Sequence, residues 1–380
     1  MDRAQLSGTQ LPRHMPQLDA LRAVAVLSVL LFHIIPEYFD KSPLGWLGVR
    51  FFFVLSGFLI TGILLRGRER VEAGTAGAGF SLRQFYVRRF LRIFPIYYLV
   101  LFTLAVCGAG EIRQSFFWHL GYLSNFKFVA DGYFHVWTAH FWTLAIEEQF
   151  YLLWPAIILF IPRRFLLPVL VLAIIIGPAY RYLALAREFS GLACEVLLPS
   201  SLDTLATGAL LAVLLNQPGI RGVQRRLIAV VGWSAFIAFV TIQLLERKGL
   251  GNSLSYAVAD SVFAVFAAAV IAGAAYGYSG WRRSILEFKP LLYVGTISYG
   301  LYVYHEIATT TVDALVEAKR LHLAPWGLIA LKFALTFLAA ALSWRFFEKP
   351  MNNLKRFFPY DPNSPGSVAV ASGSAVGTPR

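Results

Sequence analysis

Little charge, little sulfur and no long polar stretch between apolar runs are the first things to register in these 380 residues. Only 14% of them are charged, where soluble domains carry about 25%. That shortage excludes an ordinary water-soluble surface. There are two cysteines, Cys107 and Cys194, and neither has a second cysteine or a histidine at metal-ligand spacing. A disulfide scaffold and a cysteine-built metal site are therefore excluded, and both thiols are expected to be free. Acidic residues are scarce relative to basic ones, 21 against 34, giving a net charge of +13. Such a balance can signal nucleic acid. Here the cations sit in short loops between apolar runs, where they set membrane topology instead. No internal repeat is visible, and no small-residue cleavage signal follows Arg3 and Arg13, so the first apolar run is expected to stay as a span.

What is present is apolar. Hydrophobic residues make up 57% of the chain, and runs of about 20 recur along it, the length that crosses a bilayer as a helix. The expected class is all-α and polytopic, with about ten transmembrane helices in a bundle. Expected spans are 18–36, 46–65, 90–108, 140–161, 165–184, 201–215, 227–245, 255–277, 291–312 and 326–347. Residues 109–139 are aromatic and too short and polar to span, so a re-entrant or interfacial segment is expected there. Residues 66–92 hold seven arginines against two glutamates. By the positive-inside rule this side is cytoplasmic, and ten spans place both termini on it. The expected division is a cytoplasmic segment 1–15, a membrane domain 16–352 and a disordered tail 353–380.

The stretch LDALRAVAVLSVLLFHII, residues 18–35, carries the first chemistry. Charge inside a span is costly and marks function. Arg22 and His33 are eleven positions apart, about three turns, so they share a face at roughly 16 Å axial separation. The expectation is that both face one cavity. A neutral imidazole can accept a hydroxyl proton near neutral pH, which makes His33 the candidate base. Glu37, at i+4, orients it if the helix continues through Pro36. The plainer reading of a lone histidine at a span end is interfacial packing.

In RRFLRIFP, Arg89 and Arg92 lie at i,i+3 on one face. Their planar forks suit phosphate; the alternative is a basic helix end against lipid headgroups. In WTLAIEEQFYLLWP, Glu147 and Glu148 are adjacent and point about 100° apart, so one faces the bundle. Tyr151 shares the face of Glu147 at i+4. A packing Glu–Arg pair is the structural alternative. Asp203 is an intramembrane acid in need of a cation. His305, with Ser298 on its face, is a second histidine candidate, lining a cavity or binding an acceptor. His119, His135 and His140 read as mostly structural.

Taken in order, LDALRAVAVLSVLLFH, FFFVLSGFLIT, RRFLRIFP, WTLAIEEQFYLLWP, SLDTLATGALLA, ISYGLYVYH and FEKP resemble the acyltransferase family 3 membrane proteins over about residues 16–352. The resemblance implies O-acyl transfer to sugars and related acceptors, with acetyl-CoA or another acyl-CoA as co-substrate and no metal. It implies that His33 is the essential histidine, with Arg22 the buried arginine beside it. It implies that Arg89 and Arg92, with Tyr151 close by, meet the acyl donor, and that Glu147 is the family acid. Glu37, Asp203 and His305 are then candidates on the acceptor side. Some members carry a hydrolase-like domain after the last span; none is seen here, so a stand-alone module is expected. Expected partners are acyl-CoA, a glycan or lipid-linked sugar and the lipid bilayer, with no nucleic acid. The expected location is the bacterial cytoplasmic membrane. The rival class is a proton-coupled transporter or exporter, which also needs intramembrane Arg, Glu, Asp and His. Carriers of this size often show inverted repeats, and none is found.

Overall fold

The computed structural model describes residues 15–39, 42–217, 221–320 and 322–361. Most of the expected leading segment and of the expected tail lie outside these residues. Among them all regular structure is helical. The main helices are α1 (Pro16–Ile34), α2 (Leu44–Glu72), α3 (Ala78–Cys107), α4 (Phe141–Phe160), α5 (Arg163–Ala186), α6 (Leu202–Leu215), α7 (Arg221–Arg247), α8 (Ser253–Tyr276), α9 (Ser298–Lys319) and α10 (Pro325–Ser343). Nine helices among the described residues are long and apolar enough to cross a membrane. The chain is a multi-pass membrane protein.

The helix not in that set is α9. The expected span 291–312 is broken at Ile297 into Lys289–Thr296 and α9. Glu306, Asp313, Glu317 and Lys319 make the far half of α9 polar. The expected start of the third span, near residue 90, moves back to Ala78, because the basic turns before Arg89 continue the helix. Residues 109–139 form two short helices, Ile112–Leu120 and Ser124–Asp131, too short to span.

Helix α1 is central. Its Ala20, Ala23, Val26 and Leu30 are fully enclosed, and it packs on α2, α8, α9 and the short helix Lys289–Thr296. By contrast α7 lies at the rim, with 11% of its apolar window buried. The tightest approach joins α2 to α6. A Cβ at Gly57 would overlap the carbonyl oxygen of Leu205, and one at Gly208 would overlap that of Val54. Each glycine admits the other helix's backbone, the small-residue contact expected in lipid.

The same four-helix region buries a charge network. Arg181 (α5) chelates Asp203 (α6), Nη2 to Oδ2 at 2.6 Å and Nη1 to Oδ1 at 3.2 Å. Arg50 (α2) meets Asp260 (α8) at 2.8 Å, and Arg181 reaches Asp260 at 3.3 Å. Ser261 donates to Asp203 at 2.5 Å. Two cations and two carboxylates, none more than 3% exposed, balance one another. Buried charge is tolerated in this form, paired and hydrogen-bonded.

Candidate active site

Two polar regions meet on α1. One is a cavity of ≈ 100 Å³ whose lining includes Arg22, Ser56, Arg89, Arg92, Glu147, Tyr151, Ser298 and Tyr302. Arg22 is held from within its own helix by Asp19, one turn back. The Arg89 guanidinium lies 5.1 Å from the centre of the Tyr151 ring. Among the described residues no ion pair joins Arg89 or Arg92 to a carboxylate. Glu147 faces the bundle, as its i+4 relation to Tyr151 predicts. Ser56 donates to Glu147 at 2.6 Å and shares a hydrogen bond with the Tyr151 hydroxyl at 2.8 Å. Glu148 does not line the cavity. Three arginines against one lining carboxylate leave the walls net positive, which suits a phosphate-bearing ligand.

The second region is a histidine cluster. His33 Nδ1 lies 2.6 Å from Glu306 Oε1. A carboxylate accepts, so Nδ1 carries the hydrogen and Nε2 keeps its lone pair. His33 is 32% exposed and Glu306 13%, so the pair is open on one side. His305 packs edge-on to His33 with ring centres 5.0 Å apart, and His140 packs on His305 at 4.9 Å. Tyr302 separates the cluster from the cavity. Its hydroxyl bonds Thr143 at 2.6 Å and donates to the His140 carbonyl at 3.2 Å. Tyr302 and Thr143 both line the cavity, while the Tyr302 ring lies 5.4 Å from His305.

His33, His305 and Glu306 bring three possible metal-ligand atoms within 4.8 Å of one another. Two imidazoles and a carboxylate would suit zinc chemically. The close His33–Glu306 contact already satisfies both groups as a hydrogen-bonded pair.

The family model for an acyltransferase domain, acyltransferase 3, matches residues 15–345. The chain belongs to this family. Curated acyltransferase relatives agree with that placing. The peptidoglycan O-acetyltransferase OatA of Listeria monocytogenes is 30% identical, over 89% of this chain and 56% of its own length. The O-acetyltransferase OatA of Staphylococcus aureus is 27% identical, over 94% of this chain and 60% of its own. The chain thus spans a little over half the length of the curated relatives it matches. No solved structure matches it.

Set on this acyltransferase framework, three sequence expectations need correction. Arg22 and His33 do not face one cavity: Arg22 lines it, and His33 lies in the cluster beyond Tyr302. Glu37 does not orient His33. The helix ends at Ile34, Glu37 is exposed on a separate turn, and the partner is Glu306 from α9. Asp203 belongs to neither of the two polar regions. Its carboxylate is taken up by Arg181, Ser261 and the Thr204 amide, which makes it a structural group. Ser56, Tyr302 and Glu306 were not singled out as site residues. Glu306 stood beside His305 in the sequence, yet only the packing of α9 on α1 brings it to His33.

Proposed function

We propose that the chain is an O-acyltransferase that moves an acetyl group from acetyl-CoA, or a related acyl-CoA, to a hydroxyl of a cell-surface glycan. The name of the Listeria monocytogenes relative points to peptidoglycan as the acceptor. The observation that carries the reading is the polarised site: a net-positive cavity on one side of Tyr302 and a carboxylate-oriented histidine on the other. Arg89 and Arg92 hold the donor's phosphates, with Tyr151 stacked on Arg89 and Glu147 fixed through Ser56. The positive-inside rule applied to the basic residues of 66–92 supports a cytoplasmic side for this cavity, where acyl-CoA is made. The open face of His33 and Glu306 then meets the acceptor across the bilayer of the cytoplasmic membrane.

His33 is the general base. Glu306 holds Nδ1–H, so Nε2 is the atom that takes the hydroxyl proton as the acceptor oxygen attacks. Glu306 also stabilises the imidazolium that forms. A positioned base contributes about 10²–10⁴ in rate. The test is acetyl transfer from radiolabelled acetyl-CoA to glycan in membranes of the native host. His33→Ala is expected to lower labelling by about 10²–10⁴-fold at equal protein level. Equal labelling by both proteins would remove His33 from the chemistry.

A further inference from the structure

Two histidines of the cluster, His140 and His305, each have a buried ring nitrogen with no hydrogen-bond partner among the described residues, and His305 is the one whose ring packs on His33. His305 is 0% exposed. Its Nδ1 lies 2.6 Å from the Tyr302 carbonyl oxygen, and a carbonyl only accepts, so Nδ1 carries the hydrogen. Nε2 is therefore a bare lone pair. It is buried and has no hydrogen-bond partner. An unsatisfied buried acceptor is costly, and in a native structure it calls for a reason.

Position supplies the reason. The His305 ring touches both Tyr302, at 5.4 Å, and His33, at 5.0 Å. Tyr302 lines the arginine cavity. His305 is thus placed one ring from the donor side and one ring from the base. Glu306, its neighbour in the chain, orients that base. The Tyr302 ring meets His305, and His305 in turn meets His33, so His305 is the nearer of these two histidines to the cavity lining in this chain of ring contacts.

We propose that His305 Nε2 is the acyl carrier, taking the acyl group from the donor and passing it to the hydroxyl that His33 deprotonates. This rests on the O-acyltransferase reading. In the first half, Nε2 attacks the thioester carbonyl, the N–C bond forms and the C–S bond breaks. CoA leaves as the thiolate with the bonding pair and takes up a proton on its own side. The acyl-imidazolium keeps its Nδ1–H on the Tyr302 carbonyl. In the second half, the acceptor oxygen gives its proton to His33 and bonds the acyl carbon. The N–C pair returns to His305, and His33 releases its proton to the acceptor side. The balance is thioester plus alcohol to ester plus thiol, with one proton taken up on the donor side and one released on the other.

A covalent carrier lets label exchange between CoA and acetyl-CoA without any acceptor. The full-length protein in detergent, given acetyl-CoA and isotopically labelled CoA, is expected to exchange as wild type and as His33→Ala. His305→Gln is expected to abolish exchange. His33→Ala quenched in cold denaturant near neutral pH is expected to carry one acetyl group on the peptide holding His305, a readout that needs no His305 variant to fold. Exchange retained in His305→Gln, or an adduct on His33 in the wild type, overturns the proposal while glycan labelling by wild type keeps the O-acyltransferase reading. Exchange that vanishes with a chelator and returns with zinc assigns the bare nitrogen to a metal and also overturns it. A wild type that neither labels glycan nor exchanges overturns both readings.

Discussion

Helix α2 carries a residue of each intramembrane charge cluster. Arg50 belongs to the Arg50–Asp260–Arg181–Asp203 network, and Ser56, under two turns along, holds Glu147 at the arginine cavity. The first cluster is neutral as a whole, and every carboxylate in it faces a guanidinium. The second has three arginines and one lining carboxylate around an open space. Both cost desolvation. Only the second leaves its lining net positive, since Asp19 pairs with Arg22 and Glu147 is the one lining carboxylate beside Arg89 and Arg92. Charge balance across helices, rather than the presence of charge within a span, separates the packing cluster from the binding one.

The largest effect expected from this contrast is on folding. Asp203→Ala leaves two arginines facing Asp260 alone, and breaking a buried pair from one side costs about 3–5 kcal/mol. A large fall in the thermal midpoint in detergent checks it, and an unchanged midpoint would dissolve the distinction between the clusters. Next, Arg92→Ala is expected to leave that midpoint in place and weaken the donor. Losing a charged hydrogen bond worth about 1.5–3 kcal/mol raises the donor KM by roughly 10–150-fold. A fall in stability without a change in KM would move Arg92 into the structural class.

Gly208→Ala sharpens the comparison, since it pushes α6 from α2 and disturbs both clusters together. Overpacking of this kind costs about 1–3 kcal/mol, read as a lower midpoint and slower transfer in one variant. The smallest effect lies outside both clusters. Lys127 and His135 hydrogen-bond Asp131 and hold its carboxyl below its ordinary value. The stabilisation is present above the ordinary carboxyl pKa of about 3.9 and is lost as pH falls through the lowered folded value. Asp131→Asn should therefore narrow its deficit in midpoint as the pH drops below about 4. A deficit that does not change with pH would deny the ionised pair.

How much of this was legible in the sequence depended on which contacts stay within one helix. Asp19 with Arg22, Arg89 with Arg92, and Glu147 with Tyr151 are spaced at three or four residues, and helical period alone aligns each pair. The partners that come from another helix were not readable. Nothing local ties Asp203 to Arg181, Ser56 to Glu147, or Glu306 to His33. Glu37 was offered as the orienting acid on the condition that the helix run through Pro36, and the helix ends before it, at Ile34. Arg22 and His33 were correctly placed on one helix. The assumption that one face means one cavity failed because Tyr302 is inserted between them from α9.

That tyrosine has an electrical consequence. A membrane under potential acts on each mobile charge with about 2.3 kcal/mol per 100 mV. His33, His305 and His140 form a file of imidazoles, the kind of file along which protons hop. Beyond it lies a polar hollow lined with arginines. The hydroxyl of Tyr302, held by Thr143 and the His140 carbonyl, stands between them. Any charge carried from one region to the other moves along that field, past a side chain that touches both.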